Sequence, residues 1–88
     1  MSDIKPTIRE DVQAQKVGDE LVVLDNNSGQ VHQLNVSASF IWENCNGEQT
    51  VKDIAHAMAD YFGINQEQAL SDVNTVIQEF HGKSLLVI

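Results

Sequence analysis

The stretch Glu20-Leu21-Val22-Val23-Leu24-Asp25-Asn26-Asn27-Ser28-Gly29-Gln30-Val31-His32-Gln33-Leu34 decides the fold. Its opening is a compact β-branched run, and its pattern makes it the most buried strand of the chain. Asp25–Gly29 is a dense turn signal, rich in residues that tolerate positive φ. Gln30–Leu34 then resumes apolar–polar alternation, so the two runs fold into a hairpin. Upstream, Val12-Gln13-Ala14-Gln15-Lys16-Val17 also alternates and breaks at Gly18-Asp19, which predicts a third strand. Residues 1–11 mix Pro6, charges and small polar side chains. They read as a mobile tail in front of one domain spanning 12–88.

After Asn35 the period changes to that of a helix. Ala38, Ile41, Trp42 and Cys45 share one face of a short helix capped by Asn35 or Ser37 and ended at Asn46-Gly47. Thr50 caps a second helix, with Asp53 at its positive end. Its stripe is Val51, Ile54, Ala55, Met58, Ala59 and Phe62, and Gly63 ends it with Ile64 folded back. Asn65 and Gln68 frame a third helix as an Asn-x-x-Gln variant of the capping box. Leu70, Val73, Ile77 and Phe80 form its stripe, widened by Ala69 and Val76, and Gly82 closes it. Leu85-Leu86-Val87-Ile88 packs back as an apolar tail. The class is α+β, a three-stranded antiparallel sheet followed by three helices (βββααα).

Composition narrows the function. The chain has 88 residues, 13 acidic and 5 basic side chains, and a formal net charge of −8. That balance opposes nucleic-acid binding, which phosphate neutralisation drives, and docking on anionic membranes. The N-terminus has no apolar signal-peptide region, and no run is long enough to span a bilayer, so the default compartment is the cytoplasm.

No catalytic constellation emerges. Cys45 stands alone, so no intramolecular disulfide or cysteine-ligated cluster is available. On an apolar face at the negative end of a helix it reads as a buried structural thiol rather than a nucleophile. His32, His56 and His81 lack metal-site spacing. His56 shares a helix face with Asp53 and Asp60, which reads as a solvated charged face. There is no phosphate-binding glycine loop and no nucleophile-elbow serine. No cofactor, metal or catalytic residue is expected.

Binding remains. Gln30–Leu34 is the last strand, hence a sheet edge open to an added strand. The wide apolar face of the third helix suits a cleft wall and equally suits the core of a small helical domain. Three helices after a hairpin also suggest a winged helix-turn-helix. Residues 66–80 contain no Lys or Arg and include Glu67, Asp72 and Glu79, which disfavours DNA.

Gly29 through Trp42, with its Leu34-Asn35 and Ile41-Trp42, resembles the PqqD-like family. These are the peptide-recognition proteins of pyrroloquinoline quinone (PQQ) biosynthesis and of other ribosomally made, post-translationally modified peptides (RiPPs). Gly47-Glu48-Gln49-Thr50-Val51, Ile54-Ala55, Tyr61-Phe62 and Asp72-Val73 follow in the family's order and spacing. Two positions depart from it: His32 stands where an aromatic residue is frequent, and Ser84-Leu85 where Gly-Leu is usual.

The resemblance implies a RiPP recognition element. Such a domain takes the leader segment of a precursor peptide as a strand in the cleft between the third strand and third helix. It presents the rest to a separate modifying enzyme, often a radical S-adenosylmethionine (SAM) protein. Carried over, the edge is Gln30, Val31, His32, Gln33 and Leu34. The cleft wall is Leu70, Val73, Asn74, Ile77 and Gln78. Glu67, Asp72 and Glu79 would select basic leader residues or dock a basic patch on the enzyme. An open edge and an apolar cleft also allow a homodimer. The alternative from another class is a winged-helix transcriptional regulator or protein-interaction adaptor.

Overall fold

The computed structural model describes residues 4–87. Met1–Asp3 of the expected tail and Ile88 of the expected apolar C-terminus lie outside the described residues. The elements run β1 (Thr7–Ile8), β2 (Val12–Val17), β3 (Glu20–Asp25), β4 (Val31–Leu34), α1 (Val36–Glu43), α2 (Val51–Phe62), α3 (Gln66–Gly82) and β5 (Leu86–Val87). β2, β3 and β4 form an antiparallel sheet in that order, followed by three helices, the α+β class that the sequence predicts.

β3 is the central strand, and it alternates strictly. Leu21, Val23 and Asp25 face inward and are buried, while Val22 and Leu24 face out and are half-buried. The Asp25 carboxylate organises the following turn by accepting from the Asn27 and Ser28 amides at 2.9 and 3.4 Å. Burial works to raise its pKa. The two amides, the Ser28 hydroxyl and Arg9 outweigh that and hold it below the ordinary carboxylate value.

Residues 6–11, read from the sequence as part of a tail, are tied into the fold, and Arg9 is one anchor. Its guanidinium lies 2.6 Å from Asp11 and 3.6 Å from Asp25, and it also donates to the Ser84 carbonyl. β1 pairs antiparallel with β5, Thr7 with Val87 and Ile8 with Leu86, and Pro6 is fully buried. This pairing joins the two ends of the chain and was invisible as a local pattern. Next to it, Gly47 (φ +79) passes so close that an added Cβ would lie 2.8 Å from Thr7 Oγ1.

The helices start where predicted. Asn35 Oδ1 accepts from Ala38 N at 2.8 Å, and Thr50 and Asp53 form a complete capping box. Asn65 Oδ1 accepts from Gln68 N at 2.8 Å. The Gln68 side chain turns away to Asp72 Oδ1, so the third cap is half a box. α1 ends at Glu43, leaving Cys45 just beyond it.

Gly63 (φ +68) terminates α2, with Ile64 N bonded back to Ala59 O. α3 closes differently from expectation. The left-handed residue is Ser84 (φ 59), not Gly82, and Leu85 N returns to Phe80 O. This is the position where the family's usual Gly-Leu gives way to Ser84-Leu85. Leu85 then plugs the core at 0% exposure.

The core lies between the inner sheet face and the helices, gathering Val23, Ile41, Ile54, Met58, Val73 and Leu85 among others. Trp42 meets Phe80 edge-on at 5.3 Å, which locks α1 to α3. Ser39 is buried and polar, as Asp25 is. Its hydroxyl accepts from Leu21 N at 2.9 Å and donates to Leu34 O at 3.3 Å, joining α1 to the last rung between β3 and β4.

Two substitutions test these constraints. Ser84→Gly removes the Cβ penalty of the left-handed conformation, a gain of about 0.5–1 kcal/mol after the added unfolded-state entropy. Thermal unfolding should show Tm rising by a few degrees. Ser39→Ala strands a buried N–H and a buried carbonyl, a loss of about 1–3 kcal/mol, read as a lower denaturant midpoint.

Candidate functional site

β4 is an edge. Among the described residues no strand pairs with its outer side. The hydrogen-bond alternation says which groups are free. Asp25 N donates to Gln30 O at 2.9 Å, on the β4 side of β3. On the other side Asn26 N donates to Asp11 O at 3.0 Å, extending the β2–β3 ladder. The register pairs Val23 with His32 and Leu21 with Leu34. Antiparallel ladders alternate, so Gln30, His32 and Leu34 turn their main-chain groups toward β3. Val31 and Gln33 point theirs outward to the open edge.

The side chains alternate in the same way. Leu34 is buried and His32 half-buried on the inner face, whereas Val31 and Gln33 are exposed. Gln33 reaches Glu20 Oε1 at 3.4 Å. The His32 ring brings its Nε2 into a buried position with no hydrogen-bond partner.

Where β4 ends, a groove opens between the start of α1 and α3. It has a volume of about 300 Å³ and is lined by Asn35, Ser37 and Ala38 on one side. The other side is Asp72, Thr75, Val76 and Glu79 of α3. The expected wall residues sit elsewhere on that helix. Val73 (0% exposed) and Ile77 (7%) belong to the core. Leu70 packs against the core, and Asn74 and Gln78 are exposed.

The helical period explains the difference. At about 100° per residue, the core stripe of Ala69, Val73, Ile77 and Phe80 divides α3 into two flanks. Leu70, Asn74 and Gln78 fall on one flank, and Asp72, Thr75, Val76 and Glu79 on the other. A stripe in the sequence shows that both flanks exist and not which one meets α1. Of the groove residues on α3, Asp72 and Glu79 stand out in the sequence by their charge and Val76 by its place in the widened apolar stripe, while Thr75 gives no signal. Glu67 does not line the groove.

Two other concavities lie outside the groove. A broad depression of about 710 Å³ on the outer sheet face is lined by Val22, Leu24 and Val31 with Gln13, Ala14 and Gln15. A smaller one of about 220 Å³ lies between Lys16 and Asp19 and the cluster of Phe40, Tyr61 and Phe62. Neither gathers groups suited to chemistry. Among the described residues no three His, Cys, Asp or Glu side chains come together as a metal site. No described helix is long and apolar enough to cross a membrane.

Cys45 is 3% exposed, and its thiol donates to Ile41 O at 3.2 Å. Burial pushes its pKa up to about 12, which keeps it protonated and non-nucleophilic at neutral pH.

The family profile for coenzyme PQQ synthesis protein D (PqqD) matches residues 20–86, well over half of the chain. The chain belongs to the PqqD family. The match takes in β3, β4, all three helices and every residue lining the groove, and leaves β1 and β2 outside. Two solved structures share the fold of this PqqD-family chain. One is TbiB1 in complex with the TbiA(beta) leader peptide, at 21% identity over 91% of this chain and 93% of that one, TM-score 0.83. The other is a lasso peptide synthetase B1 complexed with the leader peptide, at 18% identity over 96% and 99%, TM-score 0.83. No curated protein sequence matches the chain.

The Cys45 environment sets a test. The native thiol should resist disulfide-exchange reagents at pH 8 and react fully once unfolded. The unfolded thiol loses its proton near its ordinary value of 9.0 and the folded one only at about 12. Wild type should therefore lose stability relative to Cys45→Ala as pH rises through that window.

Proposed function

We propose that this PqqD-family protein is a RiPP recognition element, a non-catalytic peptide chaperone. It binds the leader of a ribosomally made precursor peptide by strand addition along β4 and presents the remainder to a modifying enzyme. The observation that carries this reading is the open edge of β4, with the main-chain groups of Val31 and Gln33 turned outward, running into the groove beside α3. An extended peptide satisfies such groups by continuing the ladder, and the groove supplies a place for its alternate side chains. The leader-peptide complexes of the two structural neighbours support the same assignment.

The contact residues follow from that geometry. Val31 and Gln33 make the main-chain pairs, and Gln30, His32 and Leu34 hold the edge in register with β3. We assign the wall to Asp72, Thr75, Val76 and Glu79, which line the groove, since Val73 and Ile77 are taken up by the core. The chain itself performs no covalent chemistry; a buried protonated thiol and scattered histidines support that. The modifying enzyme is a separate partner, of the radical SAM class that the family resemblance implies. Mixing the two proteins with the precursor should give modified product that the enzyme alone makes slowly. The same edge accommodates a second copy, so a homodimer of the free protein should dissociate as peptide is added. A regulator acting on DNA is disfavoured by the absence of Lys and Arg from residues 66–80.

Proline substitution separates edge from ladder. Val31→Pro or Gln33→Pro removes one outward N–H and spares the pairing with β3. Each lost hydrogen bond is worth about 0.5–1.5 kcal/mol, so leader affinity by fluorescence anisotropy should fall about two- to tenfold with the fold intact by circular dichroism. His32→Pro breaks the ladder and lowers Tm instead. Folded edge variants that bind leader as wild type does would overturn strand addition.

A further inference from the structure

The groove at the end of β4 carries a charge pattern that none of its neighbours balances. Asp72 and Glu79 stand two turns apart on α3, with Val76 between them and Ala38 facing from α1. No Lys, Arg or His lines the groove. The ion pairs of the described residues all belong to Arg9, with Asp11 and Asp25, so neither groove carboxylate has a cation within 4.0 Å. Two of the neutral polar groups are already engaged. Asn35 Oδ1 accepts from Ala38 N, and the Thr75 hydroxyl donates to Ser71 O at 3.0 Å. Asp72 keeps one oxygen free, since only Oδ1 takes the Gln68 amide at 3.0 Å. What the groove offers a ligand is two carboxylate acceptors on α3 around a small apolar floor, with the Ser37 hydroxyl and the Asn35 side-chain amide on the α1 side.

We infer that the groove selects extended peptides with a basic residue on each side of an apolar one, at alternate positions. This rests on the strand-addition reading and adds the class of peptide to it. Alternation follows from the strand: residues i, i+2 and i+4 share one face, and the outer two are about 13–14 Å apart. The two carboxylate-bearing positions on α3 are about 10 Å apart along the axis. Lys and Arg side chains are long enough to converge over that difference while the apolar residue at i+2 rests on Val76 and Ala38. The net charge of −8 reinforces the choice, because it draws cationic peptides toward the whole molecule and speeds their encounter. A peptide with acidic residues at those positions would set like charges against Asp72 and Glu79.

The test is peptide selection with two readouts. A random peptide library is displayed and selected against wild type and against Asp72→Asn/Glu79→Gln. The peptides recovered on wild type are then titrated into labelled protein, following the Val31 and Gln33 amides by NMR. Wild type should enrich Lys and Arg on both sides of an apolar residue at alternate positions. Affinity for those peptides should fall at least about tenfold in the double variant and drop as salt rises. Glu79→Gln alone, at an exposed position, should show an intermediate loss and guards against misfolding at the half-buried Asp72. Peptides that move the Val31 and Gln33 amides, lack basic enrichment and bind the double variant equally well would overturn the inference and leave strand addition standing. Peptides of any charge that bind without moving those amides would overturn both.

Discussion

The Ser39 hydroxyl is the constraint on which the site depends. One oxygen takes the Leu21 N–H and gives its proton to the Leu34 carbonyl, so a single buried side chain ties the central strand, the edge strand and the first helix together. Without it two buried backbone groups would be stranded at the end of the ladder. With it, α1 begins at a defined place and angle, one residue after Asn35. That position fixes one wall of the groove, because Ser37 and Ala38 belong to the first turn of the same helix.

The opposite wall is set by the core. Trp42 packs on Phe80, and Val73, Ile77 and Phe80 bury the central stripe of α3. Once that stripe faces inward, the helical period commits Asp72, Thr75, Val76 and Glu79 to the flank that meets α1. The groove is thus a by-product of packing, with its chemistry supplied by residues that the core does not need. Such positions tolerate change, which suits a surface that must discriminate among peptides while the fold stays the same.

The two places where the chain departs from the family's pattern gain different meanings. Ser84 adopts the left-handed conformation that closes α3, a conformation glycine reaches without a Cβ clash, so Ser-Leu in place of Gly-Leu costs stability and leaves the closure intact. His32 lies under the edge strand with Nε2 buried and unpaired, where an aromatic hydrocarbon ring would bring no polar atom to satisfy. Both departures fall beside the sheet and the C-terminal closure, and neither alters the outward groups of Val31 and Gln33.

By itself the sequence determined the three-stranded sheet, the three helices and their order. Alternation in Val12–Leu34, the turn at Asp25–Gly29 and the caps at Asn35, Thr50 and Asn65 are local signals, acting over a few residues, and each is where the pattern puts it. The sequence also pointed to Gln30–Leu34 as the sheet edge and to the three acids Glu67, Asp72 and Glu79 of the third helix, of which two line the groove. Tertiary structure alone decided three things. It drew Thr7–Ile8 against Leu86–Val87 through main-chain pairing between the chain ends, which leaves no local signature. It chose which flank of α3 faces α1, since periodicity shows the width of a stripe and not the direction in which its neighbours lie. And it aimed the free N–H and C=O groups of β4, because which residues point outward depends on the register set with β3 across the hairpin and not on the identity of any side chain.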